Sequence, residues 1–161
     1  MSILCIDPGP TTSGVVILRE DGVVIEAVPE FGNDRLIRSE WVAHCGDPDV
    51  LAIEMIASYG MPVGADVFDT CVWIGRFWEE FCGRESALVY RRDVKLHICG
   101  DTRAKDANIR RAILDMYPPT GGGRTKQIGT KKDPGPLYGV TSHAMSALAV
   151  GLTHLGITEV K

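Results

Sequence analysis

The chain has 161 residues, of which 45% are hydrophobic and 24% charged, as expected for one globular domain with its own core. No apolar run reaches the roughly 18 residues of a membrane span, and no signal-peptide pattern opens the chain, so we expect a cytoplasmic protein without a membrane partner. The net charge of −4 does not exclude nucleic acid, because residues 91–132 carry 11 of the 17 basic residues but only 4 of the 21 acidic ones. This basic segment is a candidate surface for a phosphate backbone, although it could also be an ordinary solvated face.

The first part of the chain is predicted to form an antiparallel meander. Its strands are residues 2–7, 13–18 and 22–28, and Asp21-Gly22 between two β-rich runs is a strong hairpin signal. The first strand is apolar and ends on Asp7, where two prolines and a glycine stop it. A carboxylate at the end of a buried strand can hold a hard cation, although Asp7 could also only cap the turn.

The next strand is predicted to present a second carboxylate. A helix capped by Asn33 or Asp34 is expected over residues 33–43, followed by a strand over residues 50–55 that ends just after Glu54. A glutamate in a buried strand is costly unless it is paired or bound to a metal. Alternation along the strand could instead turn Glu54 to solvent, but its position resembles that of Asp7.

A long helix is predicted over residues 65–81, after a loop at 58–64. Its apolar side chains recur at helical spacing and indicate either core or a subunit interface. Two tryptophans on different faces of this helix favour a dimer interface. The residues concerned are Phe68, Cys71, Val72, Gly75, Trp78 and Cys82, together with Trp73.

The basic segment is predicted to contain a strand, two helices and a long loop. The strand covers residues 87–90, and the helices cover 94–99, capped by Asp93, and 104–116, capped by Thr102. The glycine-rich loop at about 117–139 is longer than most loops of compact domains. We predict that it is flexible and orders on DNA or RNA, or that its tip is only a surface insertion.

The chain closes with a predicted helix over residues 142–155, capped by Thr141 or Ser142. His143 lies in its first turn, where a rigid scaffold could present it as a ligand. A single histidine can equally be structural or exposed.

Three motifs in this order resemble the ribonuclease H-like fold of the RuvC-type Holliday junction resolvases. They are ILCIDPG (residues 3–9), LAIE (51–54) and HAMSALAVGLTHL (143–155), and Lys95 and Lys105 match the family's basic active-site region in spacing. The segment GTKKDPGPLYG looks like that of phage-type members. The resemblance implies an α/β fold in one nuclease domain over residues 1–161. Its mixed five-stranded sheet, with three antiparallel strands followed by parallel ones, is flanked by helices.

The resemblance also implies an activity, that of a crossover junction endodeoxyribonuclease. Such an enzyme is a metal-dependent endonuclease of DNA recombination and repair that hydrolyses phosphodiester bonds in Holliday junctions or other branched DNA. Asp7, Glu54 and His143 take the places of three metal ligands, and Lys105 would offset charge on the phosphate. Two ions, Mg²⁺ or Mn²⁺, are implied.

The fourth ligand position departs from the family. It is normally Asp, but here it is Ser146, and a neutral hydroxyl weakens a metal position. Another carboxylate, Asp101 or Asp133, could compensate, a water could bridge Ser146 to the ion, or activity is reduced.

The resemblance further implies a twofold-symmetric homodimer that acts on branched DNA in a bacterial or phage-infected cytoplasm. Tyr59 could stack on an unpaired base at the junction, or it could simply pack in its loop. The candidate DNA-binding residues are Tyr59, Lys95, Arg103, Lys105, Arg124, Lys126, Lys131 and Lys132.

Two other functions stay open from the sequence. Asp7, Gly9 and Gly14 loosely fit the phosphate loop of an actin-like nucleotide-binding or phosphotransferase domain, although that fold needs two such domains. A DNA-binding protein that keeps the nuclease fold but has lost cleavage is the other alternative, because of Ser146.

Overall fold

A mixed sheet forms the centre of the molecule. The computed structural model describes residues 1–37, 42, 47–58, 60–81 and 83–161. Within these ranges the sheet has five strands in the order β3-β2-β1-β4-β5. The first three are antiparallel neighbours, and β4 pairs in parallel with both β1 and β5, which confirms the predicted sheet. The strands are β1 (Ser2–Asp7), β2 (Thr12–Arg19), β3 (Val24–Gly32), β4 (Val50–Met55) and β5 (Glu85–Tyr90).

Helices cover both faces of the sheet. They are α1 (Asn33–Ile37), α2 (Ala65–Glu80), α3 (Arg91–Cys99), α4 (Asp106–Met116) and α5 (Ser142–Leu155). The end of the helix predicted over residues 33–43 falls largely outside the described residues. Within the described ranges, no helix combines the length and apolar character that a membrane crossing requires.

Two of the predicted helix starts were wrong. α3 follows β5 without a connecting loop and begins at Arg91, so Asp93 lies inside the first turn rather than capping it. At this position the positive end of the helix dipole still stabilises the negative charge of Asp93. α4 begins at Asp106, not 104, because the Asn108 side chain reaches back to accept a hydrogen bond from the Lys105 amide at 2.9 Å.

Alternation along the strands divides the core into two layers. In β1, Ile3 and Cys5 face one layer, which is built with α3, α4 and α5, whereas Leu4 and Ile6 face the other, built with α1 and α2. Both sides of the central strands are therefore dry, which explains why β1, β2 and β4 are almost continuously apolar.

α5 lies directly on β1 and β2 because two glycines leave no space between them. A Cβ on Gly151 would lie 2.4 Å from Cys5 Sγ, and a Cβ on Gly14 would lie 2.3 Å from the carbonyl carbon of His143. Neither position could hold a larger side chain without moving the helix. The first turn of α5 is thereby fixed against the strand that pairs with the end of β1.

The loop over residues 117–139 is held by its own backbone hydrogen bonds. Gly121 donates to the Lys126 carbonyl, Gly135 to Ile128 and Leu137 to Gln127, and the Leu137 side chain is buried. The Tyr117 hydroxyl anchors the start of the loop by donating to the Gly22 carbonyl at 2.6 Å. That this segment is flexible and orders on nucleic acid stays a prediction.

A buried asparagine braces the turn after β1. The Asn33 side-chain nitrogen donates to the Gly9 carbonyl at 2.9 Å, and its oxygen accepts from the Ser13 hydroxyl at 2.7 Å. Its backbone amide also donates to the Thr11 carbonyl. Asn33, expected only as a helix cap, thus ties both sides of the turn that follows Asp7.

Replacing Asn33 by alanine leaves the half-buried Gly9 carbonyl and the buried Ser13 hydroxyl without these partners. We expect Asn33→Ala to lower the free energy of unfolding by about 2–3 kcal/mol, measured by urea denaturation. Asn108→Ala, which removes only an exposed cap, is the matched control and should cost about 1 kcal/mol or less. Equal losses in the two variants would contradict a bracing role for Asn33.

Candidate active site

Asp7 and Glu54 lie side by side at one end of the sheet. In the parallel pairing of β1 with β4, Ile6 is opposite Ile53, so the next residue on each strand brings the two carboxyl groups together. Because Ile6 and Ile53 face α1 and α2, alternation turns both carboxyl groups toward the opposite helix layer. Only 17% of the Asp7 side chain and 14% of the Glu54 side chain are exposed. Together with Pro8, Ile56 and Arg91 they line a cavity of about 210 Å³.

His143 meets this pair from α5. Its Nδ1 lies 2.9 Å from Asp7 Oδ2. Gly14, the register partner of Asp7 in β2, lets the backbone of His143 come this close to the sheet. Ser142, just before it, has a φ of 42°, in the left-handed region that non-glycine residues seldom occupy. The helix therefore starts in an unfavourable backbone conformation directly before His143.

Burial makes the ionised carboxylates unfavourable. It raises the pKa of Glu54 to about 7, an effect that Arg91 opposes and that the neighbouring Asp7 charge increases. Burial also raises the pKa of Asp7, against the lowering effect of His143 and Arg91. Two adjacent buried carboxylates of this kind are stabilised by a bound cation.

Arg91, which the sequence did not single out, lies next to the pair. Its Nη1 is 3.6 Å from Glu54 Oε2, and its Nη2 donates to the Asp106 carboxylate. On another side it lines a groove of about 380 Å³ with Arg92, Lys95 and Thr102. Arg91 therefore connects the carboxylate pair to a basic surface. The sequence signals for it were its place directly after the predicted strand 87–90 and its membership of the basic segment 91–132.

Ser146 occupies a different cavity from the carboxylate pair. It lines a space of about 220 Å³ with Arg91, Asp106 and Arg110. The two carboxylates expected to compensate for Ser146 do not line this cavity. Asp101 pairs with Arg103 at 3.4 Å, and Asp133 lies in the 117–139 loop beside Gly122. Among the described residues, the carboxylate that lines this cavity with Ser146 is Asp106.

Asp7 and Glu54 are candidate ligands of a divalent ion, and the number of ions stays a prediction. Among the described residues, no three His, Cys, Asp or Glu side chains are grouped closely enough to hold an ion as they stand. Asp7 and Glu54 offer paired, mostly buried anionic oxygens, and His143 is in contact with one of them. Ser146 offers no charge, and the cation beside Glu54 is Arg91.

The other predicted site residues differ in whether they lie near Asp7 and Glu54. Lys95 lines the basic groove, whereas Lys105 is exposed beside Asp106, and Arg103 is exposed and paired with Asp101. No contact within the described ranges joins the exposed loop residues to Asp7 or Glu54, and the Tyr117 anchor of their loop lies at the opposite end of the sheet. Those loop residues are Arg124, Lys126, Lys131 and Lys132. Tyr59 lies outside the described residues.

Comparison with solved structures shows which fold this is. The RuvC structure from Thermus thermophilus matches with a TM-score of 0.65 and 20% sequence identity, over 97% of this chain and 94% of that one. The chain has the RuvC fold. T. thermophilus RuvC in complex with its Holliday junction substrate matches with a TM-score of 0.64 and 18% identity, over 96% of this chain and 92% of that one. By sequence, neither protein-family models nor curated proteins give a match.

The RuvC fold confirms the predicted ribonuclease H-like architecture. At these identities the similarity concerns the fold, and the roles of individual side chains follow from their geometry in this chain.

The raised pKa of Glu54 predicts how the stability of the metal-free protein changes with pH. A folded-state pKa of about 7 against the ordinary 4.5 means that the folded chain holds this proton more tightly than the unfolded chain does. The stabilisation that this proton gives the folded chain is complete below the ordinary pKa, and it is lost as the pH rises through about 7. In EDTA, we therefore expect the Tm of the wild type to fall relative to Glu54→Gln between about pH 5 and pH 8.

The comparison with Glu54→Gln isolates this group because the amide stays neutral throughout the range. Glu159→Gln, a change of the same kind at an exposed site, should instead follow the wild type. A constant Tm difference between wild type and Glu54→Gln would show that Glu54 titrates normally.

Proposed function

We propose that this protein is a metal-dependent, structure-selective DNA endonuclease that hydrolyses phosphodiester bonds in Holliday junctions or other branched DNA. The observation that supports this most strongly is the mostly buried Asp7–Glu54 pair, which opens next to a basic groove at the end of the sheet. A RuvC of the same fold is described in complex with a Holliday junction. The activity would be that of a crossover junction endodeoxyribonuclease.

The basic groove suits the backbone of DNA. Arg91 and Arg92 open α3, so their positive charges add to the positive end of the helix dipole, and Lys95 lies one turn further along. Phosphate contacts of this kind position a nucleic acid without reading its sequence. Lys105, Arg103 and the basic residues of the 117–139 loop would extend the surface.

Asp7 and Glu54 would hold the divalent ion, Mg²⁺ or Mn²⁺, and His143, in contact with Asp7, is the third ligand that the resemblance implies. When bound, such an ion supplies an activated water and stabilises the leaving oxygen. Other residues of the protein position the ligands of the ion. His143 holds Asp7 through Oδ2, the braced turn fixes the end of β1, and Lys105 adds positive charge near Asp106. The mostly buried setting of Asp7 and Glu54 strengthens the electrostatic contacts that these two carboxylates make.

A second copy of the chain would complete the enzyme. α2 exposes a row of apolar side chains one turn apart, with Phe68 62% and Val72 61% exposed, and Trp78 lies further along the same helix. Exposed apolar patches of this kind mark interaction surfaces. A twofold homodimer through α2 suits a four-way junction, because two active sites can make paired nicks.

Asp7→Asn should separate cleavage from binding. We expect at least about a 100-fold loss of metal-dependent nicking of a labelled Holliday junction, because one anionic ligand is removed. Junction affinity should change little, because it depends mainly on the basic groove. Asp115→Asn, the same change at an exposed residue of α4, is the control and should nick like the wild type.

Three outcomes would overturn this assignment. Wild-type nicking by Asp7→Asn would remove Asp7 from the reaction. Junction binding by a wild type that does not nick with Mg²⁺ or Mn²⁺ would indicate a DNA-binding protein of the same fold. ATP binding without junction binding would indicate the actin-like alternative.

Val72→Asp should dissociate the proposed dimer. A charge in the centre of an apolar interface costs several kcal/mol of association, so we expect the mass from light scattering to shift from dimer to monomer. Leu96→Asp changes an equally apolar residue, 54% exposed on α3, and should stay dimeric. A monomeric wild type at micromolar concentration would contradict the α2 interface.

A further inference from the structure

Arg91 divides the site into two cavities of opposite charge. The cavity that contains Asp7 and Glu54 has two carboxylates against one guanidinium. The cavity that contains Ser146 has two guanidiniums, from Arg91 and Arg110, against the single carboxylate of Asp106. The first cavity attracts a divalent cation, whereas the second repels one and attracts an anion.

Arg91 is held in place from two sides. Its two terminal nitrogens contact different carboxylates, Glu54 and Asp106, and its side chain is only 25% exposed. Its backbone is fixed as well, since β5 passes straight into α3 at this residue. The Asp106 side chain is 84% exposed, so that pair alone contributes little to stability. The contact with Asp106 serves instead to orient the guanidinium of Arg91.

The position of Arg91 also conflicts with a second ion. Glu54 would have to share its oxygens between two divalent ions while a guanidinium lies 3.6 Å from Oε2. A cation so close to a ligand oxygen repels an incoming ion, and Ser146 provides no charge to offset that repulsion.

We propose that this site holds one divalent ion, at Asp7 and Glu54, and that the guanidinium of Arg91 takes the place of the second ion. A guanidinium stays charged at any physiological pH and matches two phosphate oxygens at once. The scissile phosphate then lies against Arg91 on the side of the Ser146 cavity, and Arg91 offsets negative charge that develops on its oxygens. This inference rests on the proposed nuclease function.

The number of bound ions tests the proposal without any need for activity. Mn²⁺ is titrated calorimetrically into the full chain. We expect one Mn²⁺ per chain for the wild type and for Ser146→Asp, because Arg91 remains in both. The double variant Arg91→Gln with Ser146→Asp should bind two. A wild type that binds two ions, or a double variant that still binds one, would overturn the assignment of Arg91.

Nicking of the labelled junction provides the second measurement. Arg91→Gln should lose about 10²–10³-fold in rate at saturating Mn²⁺, and Arg91→Lys should recover part of the loss because it restores the charge but not the planar fork. Arg111→Gln, an exposed arginine of α4 that pairs with Asp115, is the matched control and should nick like the wild type. Unchanged nicking by Arg91→Gln would overturn the proposal.

The two failures are distinguishable. If the proposed function fails, the wild type neither nicks the junction nor loses Mn²⁺ binding on Asp7→Asn. If only the role of Arg91 fails, the wild type nicks and depends on Asp7, but it binds two ions or tolerates Arg91→Gln.

Discussion

The contact of α5 with the sheet determines the geometry of the whole site. Gly14 and Gly151 bring the helix backbone onto β1 and β2 without intervening side chains. Because Gly14 pairs with Asp7 in the β1–β2 ladder, this close approach also determines which strand end His143 reaches. A bulkier residue at either glycine would lift the helix, and the histidine would then move away from the carboxylate. Packing in the core and the distance between the imidazole and the carboxylate are therefore a single constraint.

A second constraint is the cost of holding two mostly buried carboxylates at one end of the sheet. Burial raises the pKa of both Asp7 and Glu54. The fold tolerates this cost because the turn after β1 is rigid, with Asn33 bonded to both of its sides. The same rigidity keeps the pair from separating to reach water. A site that is unfavourable when empty of cations binds one more tightly, since the ion removes a cost already present in the fold.

Much of the fold follows from local sequence, and the limits of prediction have a common cause. β1 and β4 were predicted at their observed bounds because a strand buried on both faces is a continuous apolar run, and both carboxylates were found because each ends such a run. The starts of α3 and α4 were missed because Asp93 and Thr102 look like caps, whereas the actual ends depend on Tyr90 and on Asn108. Arg91 was missed because its partners are distant in the sequence, and no local period marks such a contact.

The positive charge of Arg91 can replace the net charge that an acid at position 146 and its bound ion would supply. A carboxylate with a divalent ion carries one net positive charge, and so does a neutral serine with a guanidinium. The phosphate beside them therefore meets the same net charge in either arrangement. The two differ in reorganisation, because an ion must be recruited from solution, whereas Arg91 is covalently attached and already oriented by Glu54 and Asp106. Loss of the fourth carboxylate then requires no compensating acid, because the charge that this acid would have recruited is already part of the chain.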